Sequence, residues 1–552
     1  PKSFFFSQNS SVGDSPPLRS AGSKKHHQLS GLHPEVVNNQ ASFIYLILRV
    51  SLANMPQDLV GFYFDAEKNR YFPHRGPIVG STLPPKKPRL ELNRESTLKR
   101  RLRIGSSKLI LDRELYGKLI TFGKRKCNFQ EEYRKLQVSQ PVVWKYNGTQ
   151  RMSDGALELA CINLLTPAGQ TGVNILLAGG VNGCLSFLEV DKAVQLFGHG
   201  TRYMSHRAWP LSIKKQENGC KASGHVLSRT ENLLQLSSNI SCIKVSTKQS
   251  RDANDGGLSS QHALITTLGS ESSGGCAYIL DFTKPLDHSG AGHALRRRMD
   301  GVASFNCTIW TADYRTSQGR AVIGTNMGAA LVDLETGLSS WVCRSKSDVL
   351  SLQFDQSENI VLCGFRNGAI VTVDVRQKQD ESSDRLPRHR ITHTVQKIQK
   401  PLKQPSGSSK PWFELKGNIH PSQTVCMPSS ISCLLSLQLH DQYFLASSMD
   451  GLIKLYDQRQ TKRGAVQSYE GNVNSHTRLQ LGIDPSERFM TSGGEDNGIR
   501  LWGIKSGEML FEEKISDSII STVCWPRTSD RSMNGSGAWF GSHEGLFHMQ
   551  WP

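Results

Sequence analysis

Five stretches decide the fold: NILLAGGVNGCLSFLEV (174–190), RAVIGTNMGAALVDLETG (320–337), NIVLCGFRNGAIVTVDVRQ (359–377), YFLASSMDGLIKLYDQRQ (443–460) and RFMTSGGEDNGIRLWGIKSG (488–507). Each reads as an apolar strand, a run of small residues, a turn ending in Gly, and a second alternating strand. The turn is Asn-Gly or Asp-Gly in four of the five and Met-Gly in the other. Such pairs supply the positive φ that a two-residue hairpin turn demands. A further strand precedes most of them, as in DVLSLQFDQSE, ISCLLSLQLHDQ and TRLQLGIDPSE. Asp333 and Asp374 stand 41 residues apart, and Asp457 and its equivalent Gly503 stand 46 apart. Four strands recurring every ~40–45 residues is the spacing of a β-propeller blade.

Outward from these units, the 83 residues between Asp374 and Asp457 hold one repeat plus a polar insertion. Degenerate units at 237–283 and 516–552 bring the total to seven, and 302–337 is the full extent of the unit that ends in 320–337. The predicted fold class is therefore all-β: a seven-bladed propeller over 138–552, with insertions at about 198–230 and 377–416. The last unit ends after its third strand. VSQPVVWKY (138–146) is the expected source of the missing outer strand, which closes the ring and removes an exposed sheet edge.

Charge separates the propeller from what precedes it. Sixty-six Lys and Arg against 48 Asp and Glu give a net +18 and a pI near 9.4, which excludes an acidic scaffold and admits nucleic acid or nuclear import. From Lys86 to Lys126, fourteen basic residues face four acids. Within that run, Lys86 and Lys87 are followed eleven residues later by Lys99, Arg100, Arg101 and then Arg103, the spacing of a bipartite nuclear-import signal. The expected location is nuclear, with the cytoplasm left open, and a solvated basic linker is the plainer reading of the same charges. Residues 55–137 read as a disordered basic arm that begins with an aromatic segment, GFYFDAEKNRYF. The chain opens on Pro1 and its first Met is Met55, so 1–54 read as a non-native or disordered leader.

Several function classes find no support. Twelve Cys run from Cys127 to Cys524 without a C-x-x-C pair, which excludes zinc-ribbon spacing and a dense disulfide framework. The most apolar run, Phe43 to Leu48, is six residues long against the ~20 that span a bilayer. There is no G-x-x-x-x-G-K-[ST], H-E-x-x-H or G-x-S-x-G, and the seventeen His are dispersed. Neither catalysis nor a cofactor or metal is expected.

LIKLYDQRQ and GIRLWGIKSG look like WD-repeat ends, with Tyr456-Asp457 and Trp502-Gly503 in the Trp-Asp place. The Asp–His–Ser–Trp network of such repeats is irregular: His420 is the expected member for blade five, and Asn472 replaces His in blade six, with His476 nearby. Together, VGFYFDAEKNRYF (60–72), SDVLSLQFDQSENIVLCGFRNGAIVTVDVR (347–376) and FLASSMDGLIKLYDQRQTKRGAVQSYEGNVN (444–474) resemble the fourth cullin-four-associated factor family. Its members are WD-repeat substrate receptors of cullin-four RING ubiquitin ligases.

Val373-Asp374-Val375-Arg376 and Tyr456-Asp457-Gln458-Arg459 share one pattern on adjacent blades four and five. Residues two apart on a strand share a face, so each Asp is expected to orient its Arg, whose planar fork then reaches a partner's carboxylates or carbonyls. The resemblance implies that Asp374, Arg376, Asp457 and Arg459 dock on the adaptor damage-specific DNA-binding protein one. It implies a non-catalytic receptor that presents target proteins to the cullin-four ligase. Val373 and Tyr456 depart from the Trp of the family's W-D-x-R box, which questions packing more than pairing. A scaffold that binds RNA or chromatin through the basic segments is the alternative.

Overall fold

The structure is a computed structural model that describes residues 62–65, 70–73, 106–122, 125–166, 169–191, 201–210, 225–249, 258–270, 273–287, 296–315, 319–376, 386–392, 412–526 and 537–551. The chain divides into two units, Pro1–Arg94 and Glu95–Pro552. In the first, Phe62–Asp65 and Arg70–Pro73 form an antiparallel hairpin with Asp65 opposite Arg70. The basic residues proposed as an import signal, Lys86 to Arg103, lie outside the described residues.

Among the described residues seven blade sheets make up most of the second unit, antiparallel apart from the short parallel pairing of Leu286–Asp287 with Leu164–Leu165. Blade four shows the plan: inner strand Val349–Phe354, second strand Ile360–Phe365, third strand Ala369–Asp374, and a short outer strand Val425–Cys426. Blade five repeats it with Ile431–Ser436, Tyr443–Ser448, Ile453–Asp457 and Gln467–Tyr469. The seventh blade contains Ile520–Cys524, Ala538–Ser542 and Gly545–Gln550, and its fourth strand is Val142–Tyr146 from the other end of the chain. The expected donor strand therefore closes the ring. Trp551 Nε1 also donates to the Val138 carbonyl at 2.8 Å, pinning the two chain segments beside that seam.

The small residues of the repeat have a steric cause. A Cβ on Gly364 in blade four would stand 2.6 Å from Ile431 Cγ2 of blade five, and one on Gly179 in blade one would stand 2.7 Å from Ile240 Cγ2 of blade two. In blades one, three, four and six a glycine of the second strand meets the first residue of the next inner strand, where the wedge-shaped sheets crowd toward the axis. Five inner strands share a register shift at their second residue, as between Ile431 and Cys433. Between blades the core is apolar: Val361, Val371, Val373 and Phe365 are fully buried in one cluster, each stabilising the fold by about 1.5–3 kcal/mol.

Two expectations are corrected. The stretch read as a disordered arm to residue 137 contains helix α1 (Ser106–Tyr116), a hairpin of Leu119–Phe122 with Arg125–Asn128, and helix α2 (Phe129–Val138). Asn128 caps α2 by accepting from the Gln130 N–H, and Phe129, Tyr133 and Leu136 lie one helical turn apart. Phe129 and Leu109 bury together, and Lys135 of α2 pairs with Glu508 at 3.1 Å. A high charge density masked this short apolar stripe.

The insertions are likewise not wholly irregular. Ser205–Trp209 pairs with Val142–Tyr146, and Trp412–Gly417 joins Arg388–Thr392 to the outer strand Ser339–Ser345 of blade three. Both occupy outer edges, where unpaired N–H and C=O groups of the last strand accept another ladder.

Candidate functional site

In an antiparallel blade the inner and third strands run the same way, so the third strands end on one face and the inner strands begin on the other. Asp374 and Asp457 are the last residues of their third strands and therefore share a face. Each carboxylate first accepts the N–H two residues on, at 2.9 Å in both blades. Asp281 does the same for Thr283 in blade two at 2.8 Å, and Asp333 for Glu335 in blade three at 3.0 Å. The Asp is thus a turn-forming element of the repeat. What distinguishes blades four and five is the Arg that the turned backbone presents.

Arg376 closes a fork on Asp374, Nε to Oδ1 at 3.1 Å and Nη2 to Oδ2 at 2.8 Å. Arg459 closes the same fork on Asp457, at 3.0 and 2.8 Å. The carboxylates are 10% exposed, whereas the Arg side chains are 62% and 59% exposed. One guanidinium edge is therefore held by the protein, and the edge carrying Nη1 faces outward. The arginines lie beyond the strand ends and not on them: Asp457 is the N-cap of a 3-10 helix, Gln458–Arg463. Orientation comes from the Asp-capped turn, not from the strand alternation expected in the sequence.

The charges support one another. Arg376 holds the Asp374 carboxyl below its ordinary range against the opposing effect of burial, with His420 adding a smaller contribution. Arg459 does the same for Asp457. Both pairs stay ionised at neutral pH. Exposed pairs of this kind contribute little to folding, so their geometry bears on recognition more than on stability.

Absence of the family's Trp leaves no packing defect. Val373 is 0% exposed, and Tyr456 is buried with its ring stacked on Phe444 at 5.4 Å. Beside Arg376, blades three and four part into a groove of about 400 Å³ lined by Arg320, Leu331, Asp333, Trp341, Val375 and Leu386. No local pattern announces this groove, because it forms from residues of two blades and an insertion.

The expected histidine network does not assemble in blade six. Asp496, in the turn, pairs with Arg500 at 2.9 Å, and Trp502 Nε1 donates to the Glu470 carbonyl at 2.9 Å. His476 instead meets Ser475 at 2.7 Å on the surface. His420 sits in blade four, where its N–H donates to Thr372 O, and not in blade five. Among the described residues, no group of three His, Cys, Asp or Glu is arranged to hold a metal. Helix α1 carries a further surface feature the sequence reading missed: Leu111, Leu115 and Tyr116 are exposed.

The seven sheets and one matching repeat define a WD-repeat β-propeller: residues 465–503 match the WD domain, G-beta repeat model. Within that class the chain is similar to DDB1- and CUL4-associated factor 4. It is 25% identical to the Bos taurus protein over 255 residues and 24% identical to the Homo sapiens protein over 253 residues, 45% of this chain in each case. The matched stretch spans 42% of the length of either relative. It is also 39% identical over 90 residues to DDB1- and CUL4-associated factor 4-like protein 2 of Homo sapiens, which is 16% of this chain and 22% of that protein.

Proposed function

We propose that this propeller is a non-catalytic substrate-receptor subunit of a cullin-four RING ubiquitin ligase. It docks on the adaptor, damage-specific DNA-binding protein one, through Arg376 and Arg459 and presents a protein target for ubiquitination. The observation that carries the reading is the pair of congruent forks: two arginines, each clamped by its own Asp, exposed on one face of neighbouring blades. A guanidinium held on one edge has lost much of its rotamer freedom before binding, so less entropy is lost when its free edge engages carboxylates or carbonyls. The names of the similar proteins, DDB1- and CUL4-associated factors, agree with this partner.

The receptor performs no bond chemistry in this scheme. It raises the effective concentration of the target beside the ligase's catalytic partner. We extend the proposal to nuclear import through Lys86–Lys87 and Lys99–Arg103. The reading is tested by affinity purification of the wild-type and Arg459→Ala chains, followed by mass spectrometry. Adaptor and cullin peptides should be abundant with the first and depleted with the second. Equal recovery would remove the ligase assignment.

A further inference from the structure

Arg478 stands just before the inner strand of blade six, Leu481–Ile483, yet its Nη1 donates to Ser241 O of blade two at 3.2 Å and to Trp310 O of blade three. Blades two and three each lie three blades from blade six around a seven-membered ring. The side chain therefore crosses the axial channel to the opposite wall. It does so where the inner strands begin, on the face opposite Arg376 and Arg459.

Such a cation lacks its usual counterpart. Burial depresses the Arg478 pKa, and the only groups that oppose this are the thiols of Cys242 and Cys433. Burial in turn pushes the Cys433 thiol up, so it stays protonated at neutral pH and does not neutralise the guanidinium. Arg478 makes no ion pair among the described residues, and its two hydrogen bonds both fall on Nη1. The donors of Nε and Nη2 remain, in the planar fork that matches an oxyanion. On the far wall, the buried indole Nε1 of Trp310 also has no acceptor. An enclosed charge without a partner is costly. Here the residue keeps partial exposure, so the channel leaves it reachable from solvent.

We propose that this end of the axial channel is an oxyanion-binding site, in which Arg478 takes a carboxylate or phosphate group entering along the axis. A cationic ligand would be repelled, and an anion supplies the counter-charge that a neutral acceptor does not. The oxyanion comes either as a free anion or as an acidic side chain of a bound protein, and both offer the same two acceptor oxygens to the fork. The site is independent of the adaptor reading, because it lies on the other face and shares no residue with it.

The test uses the full-length chain and inorganic phosphate, with sodium chloride at matched ionic strength as reference. Phosphate should raise the melting temperature of the wild type beyond chloride, and Arg478→Met should weaken phosphate binding at least about tenfold while circular dichroism keeps its β signature. The Arg376→Ala/Arg459→Ala chain should respond like wild type. If Arg478→Met does not fold, Arg478→Lys keeps the charge but loses the fork, and it should fold while binding phosphate more weakly. An acetylated Glu-Asp-Glu peptide that competes with phosphate identifies a protein carboxylate as the natural occupant, whereas phosphate binding without competition identifies a free anion. An unchanged phosphate response in a folded Arg478 variant would overturn the site and leave Arg478 as a strut between blades.

Discussion

Arg376 and Asp374 meet in a two-bond fork whose carboxylate is almost wholly covered while most of the arginine stays in solvent. Arg459 and Asp457 reproduce it on the next blade with distances that agree within 0.1 Å. The Asp performs two tasks, capping its turn and aiming the guanidinium. Asn retains the capping oxygen but not the charge, which separates them. Asp374→Asn with Asp457→Asn should leave the melting temperature within a few degrees of wild type, since exposed ion pairs contribute little to folding. Adaptor capture should nevertheless fall, because the guanidinium is no longer held. A pull-down alongside thermal melting checks both halves.

Gly493 tests the packing between blades. A Cβ there would lie 2.0 Å from the Ile520 carbonyl oxygen of blade seven, and backbone cannot swing aside as a side-chain tip can. Gly493→Ala should cost about 1–3 kcal/mol through overpacking. Urea denaturation gives the value; an unchanged midpoint would mean that the blades are not wedged as described.

Glu495 gives the pH dependence. Burial alone would raise its pKa, but hydrogen bonds from Ser475 and Thr477 and from the N–H groups of His476 and Thr477 outweigh it and hold the carboxyl at about 2, against an ordinary 4.5. A folded pKa below the unfolded one contributes stability that is fully present above about 4.5 and is lost as pH falls through about 2. The difference in melting temperature between wild type and Glu495→Gln should therefore shrink as pH falls from about 4.5 toward about 2. A difference independent of pH would contradict this network.

Periodicity made the propeller legible, because each blade repeats the same steric demands: small residues where sheets crowd, and a positive φ where hairpins turn. Gly451, at φ +81°, behaves as its Asp-Gly turn foretold, whereas in blade six Asn497 takes φ +65° in place of the following Gly. The closing strand was legible because an incomplete last blade requires a partner. The helices were not, since the apolar stripe of Phe129, Tyr133 and Leu136 is short and set among charges. The pairing of Asp374 with Arg376 could be read from spacing, yet its mechanism was a capped turn and not a strand face. Arg478 carried no local signal at all. Its partners are 237 and 168 residues away, and only the closure of the ring brings them across the axis.

In the proposed complex Arg376 and Arg459 enter one adaptor interface together. Truncating a buried interface arginine typically costs ~2 kcal/mol or more, so two such losses should weaken binding about a thousandfold. The direct measurement is the dissociation constant of purified adaptor for the Arg376→Ala/Arg459→Ala chain, taken beside its melting curve. The double variant should melt near wild type and lose adaptor binding, with Arg→Lys at either site rescuing poorly because an ammonium cannot form the planar pair of hydrogen bonds. Wild-type affinity in a folded double variant would contradict it.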